Sequence, residues 1–221
     1  MCSHYEAVKD LQSLKSLKSH FKLTEVPESG KLDIWPGYLG TFIKNQENVL
    51  EDSPHALLGS FGLIPHWASD TKIARNTYNA RSETVAEKPS YRDSWRMNRR
   101  CIIPADAIYE PDWRSGKAVP TRISRADEKP MGIAGLWSVW KDANGEILHS
   151  YTMLTINAET HPLMNQFHKL ADEKRMVVIL PDDQYAEWLN TDSNGCRAFL
   201  QAYPSDQLIC QPNISTRLVS Q

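Results

Sequence analysis

Apolar residues near the N-terminus recur every third position: Tyr5, Val8, Leu11, Leu14 and Leu17, with lysines and serines between them. That spacing predicts an amphipathic helix over residues 5–19, docked by one face on a core. Pro27, Gly30, Pro36 and Gly37 then break "LTEVPESGKLDIWPGYLG" into loop with at most short extended pieces. Beyond it come short apolar runs, most of them bounded by Pro, Gly, Asp or Asn: "GYLGTFIK", "HALLGSFGLI", "RCIIPADAIYE", "VPTRIS", "MGIAGLWSVW", "ILHSYTMLTINA" and "RMVVIL". These predict strands. "DANGEI", between the runs ending at Trp140 and starting at Ile147, reads as a hairpin turn in which Asn144-Gly145 supplies positive φ, so antiparallel pairing is implied. Helices are predicted at 160–166, 182–190 and 195–202, the second with acids in its first turn where the helix dipole favours them. No internal repeat, low-complexity tract or long linker divides the chain. The expected fold is α+β: a single domain over residues 2–221, with a curved antiparallel β-sheet or barrel-like core and flanking helices.

At 221 residues with 41% hydrophobic content, the chain has enough material for a proper core. No run approaches the ~18 apolar residues of a membrane helix, and the N-terminus lacks an apolar signal-peptide core, so a cytoplasmic location is expected. Cys2, Cys101, Cys196 and Cys210 are scattered without C-x-x-C spacing, which argues against a zinc site or a disulfide framework. A net charge of −2 argues, taken whole, against a nucleic-acid binder. Its distribution changes that picture. Residues 71–100 carry eight basic side chains (Lys72, Arg75, Arg81, Lys88, Arg92, Arg96, Arg99 and Arg100) against Glu83, Glu87 and Asp93, a local +5 on an acidic body. Such a stretch suits a phosphate-tracking groove and equally suits a solvated face.

Several short stretches carry candidate chemistry. In "MCSHYEAV" a cysteine directly follows Met1, and a residue this small normally lets the methionine be removed. Cys2 would then hold a thiol and a free α-amine, titrating when unperturbed near ~8.5 and ~7.7 to 8.0, so that a fraction of each is nucleophilic at neutral pH and an aldehyde could be captured twice. An accidental cysteine in a frayed terminus fits the octet as well. In "TYNARSET", Asn79 and Arg81 share one side-chain parity if the segment is extended; the amide can donate and accept, and the guanidinium can fork onto a phosphate. A turn asparagine beside a surface arginine is the plainer alternative. Glu110, at the end of an apolar strand between Tyr109 and Pro111, is expected to be partly desolvated and useful in acid-base work, unless it simply faces water. His168 in "MNQFHKLADEKRMVVIL" is suited to proton transfer, but six other histidines compete with it. Trp67, behind Pro65 and His66 and just before the basic stretch, fits a base-stacking aromatic or a core residue.

Taken together and in this order, Cys2 behind Met1, "FGLIPHWA", "YNARSET", "RRCIIPADAIYE", "GIAGLWSVW" and "MNQFHK…KRMVVIL" resemble the SOS response-associated peptidase family, the SRAP domain, from residue 2 to about residue 190. The resemblance implies a barrel-like antiparallel core with flanking helices. It also implies covalent, protective capture of abasic sites in single-stranded DNA, with no metal or organic cofactor, no membrane and a monomeric, nucleoid-associated protein. Residue by residue, the family's cysteine falls on Cys2, its asparagine on Asn79, its glutamate on Glu110 and its histidine on His168. The DNA-contacting arginine falls on Arg81; from the residues themselves, Trp67 and, in the basic stretch, Lys88 and Arg92 are expected as further DNA contacts. The ring-opened sugar is an aldehyde, which the Cys2 amine would capture as a Schiff base and the thiolate would close to a thiazolidine.

The chain departs from the family pattern in places. The common M-C-G-R start is Met1-Cys2-Ser3-His4, and Asp33 in "LDIWP" takes the asparagine position of Y-N-x-A-P. Pro111 follows Glu110 and displaces the tryptophan to Trp113, and the compact H-D-R-M-P is stretched to "HKLADEKRM", leaving Arg175 only loosely comparable. Two other readings compete: a thiol peptidase using Cys2 with His168 as base, including autocatalytic removal of Met1, and a non-catalytic single-strand binder.

Overall fold

The computed structural model describes residues 2–9, 11–46 and 54–212. Among them, all twelve strands join one sheet. The strands are β1 (His4–Ala7), β2 (Asp33–Ile34), β3 (Leu39–Asn45), β4 (Pro54–Phe61), β5 (Asn79–Arg81), β6 (Arg100–Asp112), β7 (Val119–Arg125), β8 (Met131–Lys141), β9 (Ile147–Asn157), β10 (Arg175–Val177), β11 (Ile179–Leu180) and β12 (Leu208–Pro212). Three α-helices flank them: α1 (Leu11–Phe21), α2 (Arg92–Arg96) and α3 (Tyr185–Asn190).

The order β8-β9-β4-β3-β6 closes on itself because β6 also pairs with β8, so five strands form a barrel. Neighbouring residues along these strands serve opposite faces, as the pleat requires. Ile103, Ile133 and Met153 join the core containing Tyr5, Phe42, Phe61 and Tyr151. Ile102, Ala134 and Leu154 join a second core under α1 and α3 with Phe21 and Trp188. Burial on both faces explains why these runs are continuously apolar instead of alternating. The packing is close enough that a side chain at Gly40 would strike the hydroxyls of Tyr5 and Tyr151, which hydrogen-bond to each other at 2.5 Å.

The β8–β9 hairpin turns as expected, with Gly145 at φ +89. Most pairings are antiparallel, but β4 and β5 both run parallel to β9. The predicted N-terminal helix is different. Tyr5 lies in β1, paired with β6 and β2, and the helix begins only at Leu11. A three-residue spacing places Tyr5 on a helical face, but two flanking strands offer its backbone a full set of partners, and tertiary pairing overrides the local period.

Two of the predicted C-terminal helices are shorter than expected. Residues 160–166 contain only a 3-10 turn at Met164–Gln166, and residues 195–202 only one at Gly195–Phe199. Before the first of them, His161 Nδ1 accepts from the amides of Leu163 and Met164 while Nε2 donates to the Tyr203 carbonyl at 2.8 Å, tying that turn to the C-terminal segment. The 182–190 segment begins as a 3-10 turn and continues as α3. "RMVVIL" splits at Val178 so that β10 pairs with β9 and β11 with β8. The tail contributes β12, which pairs with β7. Among the described residues no helix is long and apolar enough to cross a membrane.

Candidate active site

Four segments converge at the end of β6. β7 occupies one edge of β6 over residues 108–112. β1 takes the other edge with His4 opposite Tyr109, which carries Cys2 alongside the strand's final residues. Beyond β1, Phe167 bridges to Asp112 and the His168 amide donates to the Pro111 carbonyl at 2.9 Å. β5, added in parallel to β9, brings up Asn79.

Cys2 is completely buried, and its thiol donates to the His4 carbonyl at 3.2 Å. The Asn79 amide nitrogen donates to the Cys2 carbonyl at 2.7 Å, while the Asn79 side-chain oxygen is buried and has no hydrogen-bond partner among the described residues. Among the described residues that oxygen is an acceptor with no donor, a condition that natural structures rarely leave without a reason. Glu110 has a wholly buried side chain, and its Oε2 lies 2.9 Å from His168 Nε2. His168 holds this position from a left-handed backbone, φ +65, a conformation that histidine tolerates better than most residues but that costs energy and recurs at functional sites.

The electrostatics revise one expectation. Burial first, and the neighbouring Glu110 carboxylate second, push the Cys2 thiol well above its ordinary range. With Met1 in place the sulfur is therefore a protonated thiol at neutral pH, not the part-ionised nucleophile expected from the free value. Tyr78 was not singled out from the sequence, yet burial and then Cys2 and Glu110 raise its hydroxyl too, which places it at the same cluster. Its position directly before Asn79 was the available signal.

The candidate DNA contacts lie outside this hydrogen-bonded cluster. Arg81 is on the same strand face as Asn79, as the parity argument required, and is paired with Glu173 at 2.7 Å. Glu173 also binds the buried Arg175, which in turn reaches Glu83 and Thr155. Arg92 opens α2 with Nε 3.7 Å from Asp93, and Lys88 is exposed on the preceding turn. That turn is tied to the site by Tyr91, whose hydroxyl donates to the Asn79 carbonyl at 3.0 Å. Trp67 is 49% exposed on the 65–68 turn, so it is not a core residue. Among the described residues no three His, Cys, Asp or Glu side chains cluster in a way that could hold a metal ion.

The family model described as "SOS response associated peptidase (SRAP)" matches residues 1–220. The chain belongs to the SRAP family. Among curated SRAP relatives, the abasic site processing protein YoqW of Bacillus subtilis is 36% identical over 179 residues, covering 78% of this chain and 76% of that protein. The abasic site processing protein HMCES of Xenopus tropicalis is 31% identical over 163 residues, covering 63% of this chain and 47% of that one. A crystal structure of a protein from Bordetella bronchiseptica superposes with a TM-score of 0.82 at 46% identity, covering 96% of this SRAP chain and 99% of the other.

Proposed function

We propose that this SRAP protein, once Met1 is removed, captures the ring-opened aldehyde of an abasic site in single-stranded DNA as a thiazolidine on Cys2. The observation that carries the reading is the combination around one residue: Asn79 grips the Cys2 carbonyl and keeps a spare acceptor, beside a buried Glu110 held by His168.

Each step has a group to serve it. Opening the sugar breaks the C1′–O4′ bond, takes a proton from the anomeric hydroxyl and delivers one to the ring oxygen, and the Glu110–His168 pair is the donor and acceptor. The Cys2 amine then adds to the aldehyde and water leaves, giving an imine; the Asn79 oxygen, otherwise without a donor, orients the amine by accepting from it. Finally the thiol sulfur bonds to the imine carbon and its proton passes to the nitrogen, with Glu110 as carrier. Arg81, Lys88 and Arg92 would hold flanking phosphates, and Trp67 would stack against an adjacent base.

Burial of the Cys2 sulfur, the largest cause that raises its thiol while Met1 is attached, fits this order, amine first and sulfur second, because a protonated thiol is a poor opening nucleophile. The peptidase reading draws less support for the same reason, and because His168 Nε2 is engaged with Glu110.

The test mixes the purified protein with single-stranded DNA carrying one abasic site, followed by a denaturing gel and an intact mass. A heat-stable adduct on the N-terminal peptide, lighter by one water than the sum of its parts, is expected; Cys2→Ala should lose it yet keep salt-sensitive DNA binding. A stable adduct formed by Cys2→Ala would sink the mechanism.

A further inference from the structure

Three flat rings stack beside the Cys2 cluster. The imidazole of His4 lies between the indole of Trp35, 4.0 Å away and 9° from parallel, and the phenol of Tyr109, 4.2 Å away and 10° from parallel. Strand register builds the stack: β1 pairs with β6 through His4 and Tyr109, and with β2 through Tyr5 and Ile34, the residue before Trp35. His4 is buried, whereas Trp35 is 44% exposed, so the column ends in an indole that meets solvent. The column also meets the site, through chain adjacency and through a hydrogen bond. Tyr109 precedes Glu110, and the His4 carbonyl accepts from the Cys2 thiol.

The surroundings match the same ligand. Tyr38, whose amide donates to the Trp35 carbonyl at 2.8 Å, is 41% exposed, and Lys31 Nζ sits 4.0 Å from its ring centre. An exposed indole, a second exposed aromatic ring and an ammonium group beside that ring form a surface suited to a base with its phosphate. Burial lowers the His4 pKa, favouring the neutral ring. The middle of the column is then a flat uncharged heterocycle rather than a phosphate ligand.

Resting on the reading of the Cys2 site given above, we propose that the exposed indole of Trp35 is the platform on which the base flanking an abasic nucleotide in single-stranded DNA stacks. An abasic nucleotide has no base of its own, so its neighbours are the handles by which stacking can position it over Cys2. Stacking accepts any base, because each has a π-face. It also depends little on salt, unlike the phosphate contacts of Arg81.

The experiment uses labelled single-stranded oligonucleotides with a central tetrahydrofuran residue, an abasic analogue with no aldehyde, flanked either by adenines or by further tetrahydrofuran residues. Anisotropy titrations compare the unchanged chain with Trp35→Leu and Trp35→Phe at low and at physiological salt; both variants keep an apolar side chain against His4, and thermal melts check that they fold. The unchanged chain should prefer adenine flanks by about tenfold. Trp35→Leu should lose most of that preference, by a similar factor at both salt concentrations, leaving only what Trp67 contributes, and Trp35→Phe should retain most of it. A Trp35→Leu protein that keeps the preference, or an unchanged chain that binds both oligonucleotides alike or neither, overturns the proposal. Since the analogue cannot react, failure of covalent capture shows only in the gel assay on true abasic DNA, and the two readings fail separately.

Discussion

His168 Nε2 stands 2.9 Å from Glu110 Oε2, a carboxylate side chain with no exposure to solvent, although the two residues lie in different segments of the chain. On the proposed reading this buried acid and the imidazole that holds it handle protons, and the two should not be equivalent. Glu110 is the more enclosed and lies near enough to Cys2 to raise its thiol, and His168, paired with it, is the less enclosed of the two.

Glu110→Gln should therefore slow covalent capture by about 10²- to 10⁴-fold, the usual worth of a positioned general acid or base. His168→Ala should slow it less and should shift the pH profile of the remaining rate. Single-turnover cross-linking followed by quenched gels measures both. Equal losses with an unchanged pH profile would instead make His168 a structural clamp.

The Arg81–Glu173 pair at 2.7 Å means that a phosphate must compete with a carboxylate for the guanidinium. Glu173→Gln should tighten single-stranded DNA binding several-fold at low salt and steepen the salt dependence by roughly 0.7 in log–log slope, one phosphate contact on a single strand. Arg81→Ala should do the reverse. Because Arg175 keeps Glu83 and Thr155, the melting temperature should move little. Salt titrations of both variants give the slopes directly.

Alkali should destabilise the fold early. Burial pushes the Cys2, Cys101, Tyr5 and Tyr151 groups up, so the folded chain keeps protons that the unfolded chain has already released. Stability is then fully present below the unfolded thiol value of about 8.5 and is lost progressively as pH rises from there toward the folded values. Melting temperatures between about pH 7.5 and 10.5 should fall across that window. A flat profile would mean that these groups are hydrated.

Gly40→Ala tests the barrel interior. The new methyl group meets the hydroxyls of Tyr5 and Tyr151, and neither ring has room to retreat, since Phe61 packs against both. Overpacking of this kind costs about 1–3 kcal/mol. Urea unfolding should show a lower midpoint with an unchanged slope, the signature of lost stability without a change in the surface exposed.

Much of this protein was written locally. The five strands that close the barrel, β3, β4, β6, β8 and β9, follow apolar runs that fill two cores, and Gly145 turns the β8–β9 hairpin because a residue without Cβ accepts positive φ. Cys2, Asn79, Glu110, His168 and Arg81 were each legible as candidates from their residue types and neighbours, and the family pattern put them in order.

What no local pattern decided was who sits beside whom. Tyr5 followed a helical period but became a strand because β2 and β6 flank it. The tail became β12 because β7 offered an edge, and Arg81 met Glu173 from the far side of the sequence. Even the thiol's protonation state was unreadable from the octet, since it depends on burial beneath the end of β6 and on Glu110. Strand pairing, burial and charge neighbourhood are non-local quantities: residues far apart along the chain set them together, so they come into being only when the sheet closes.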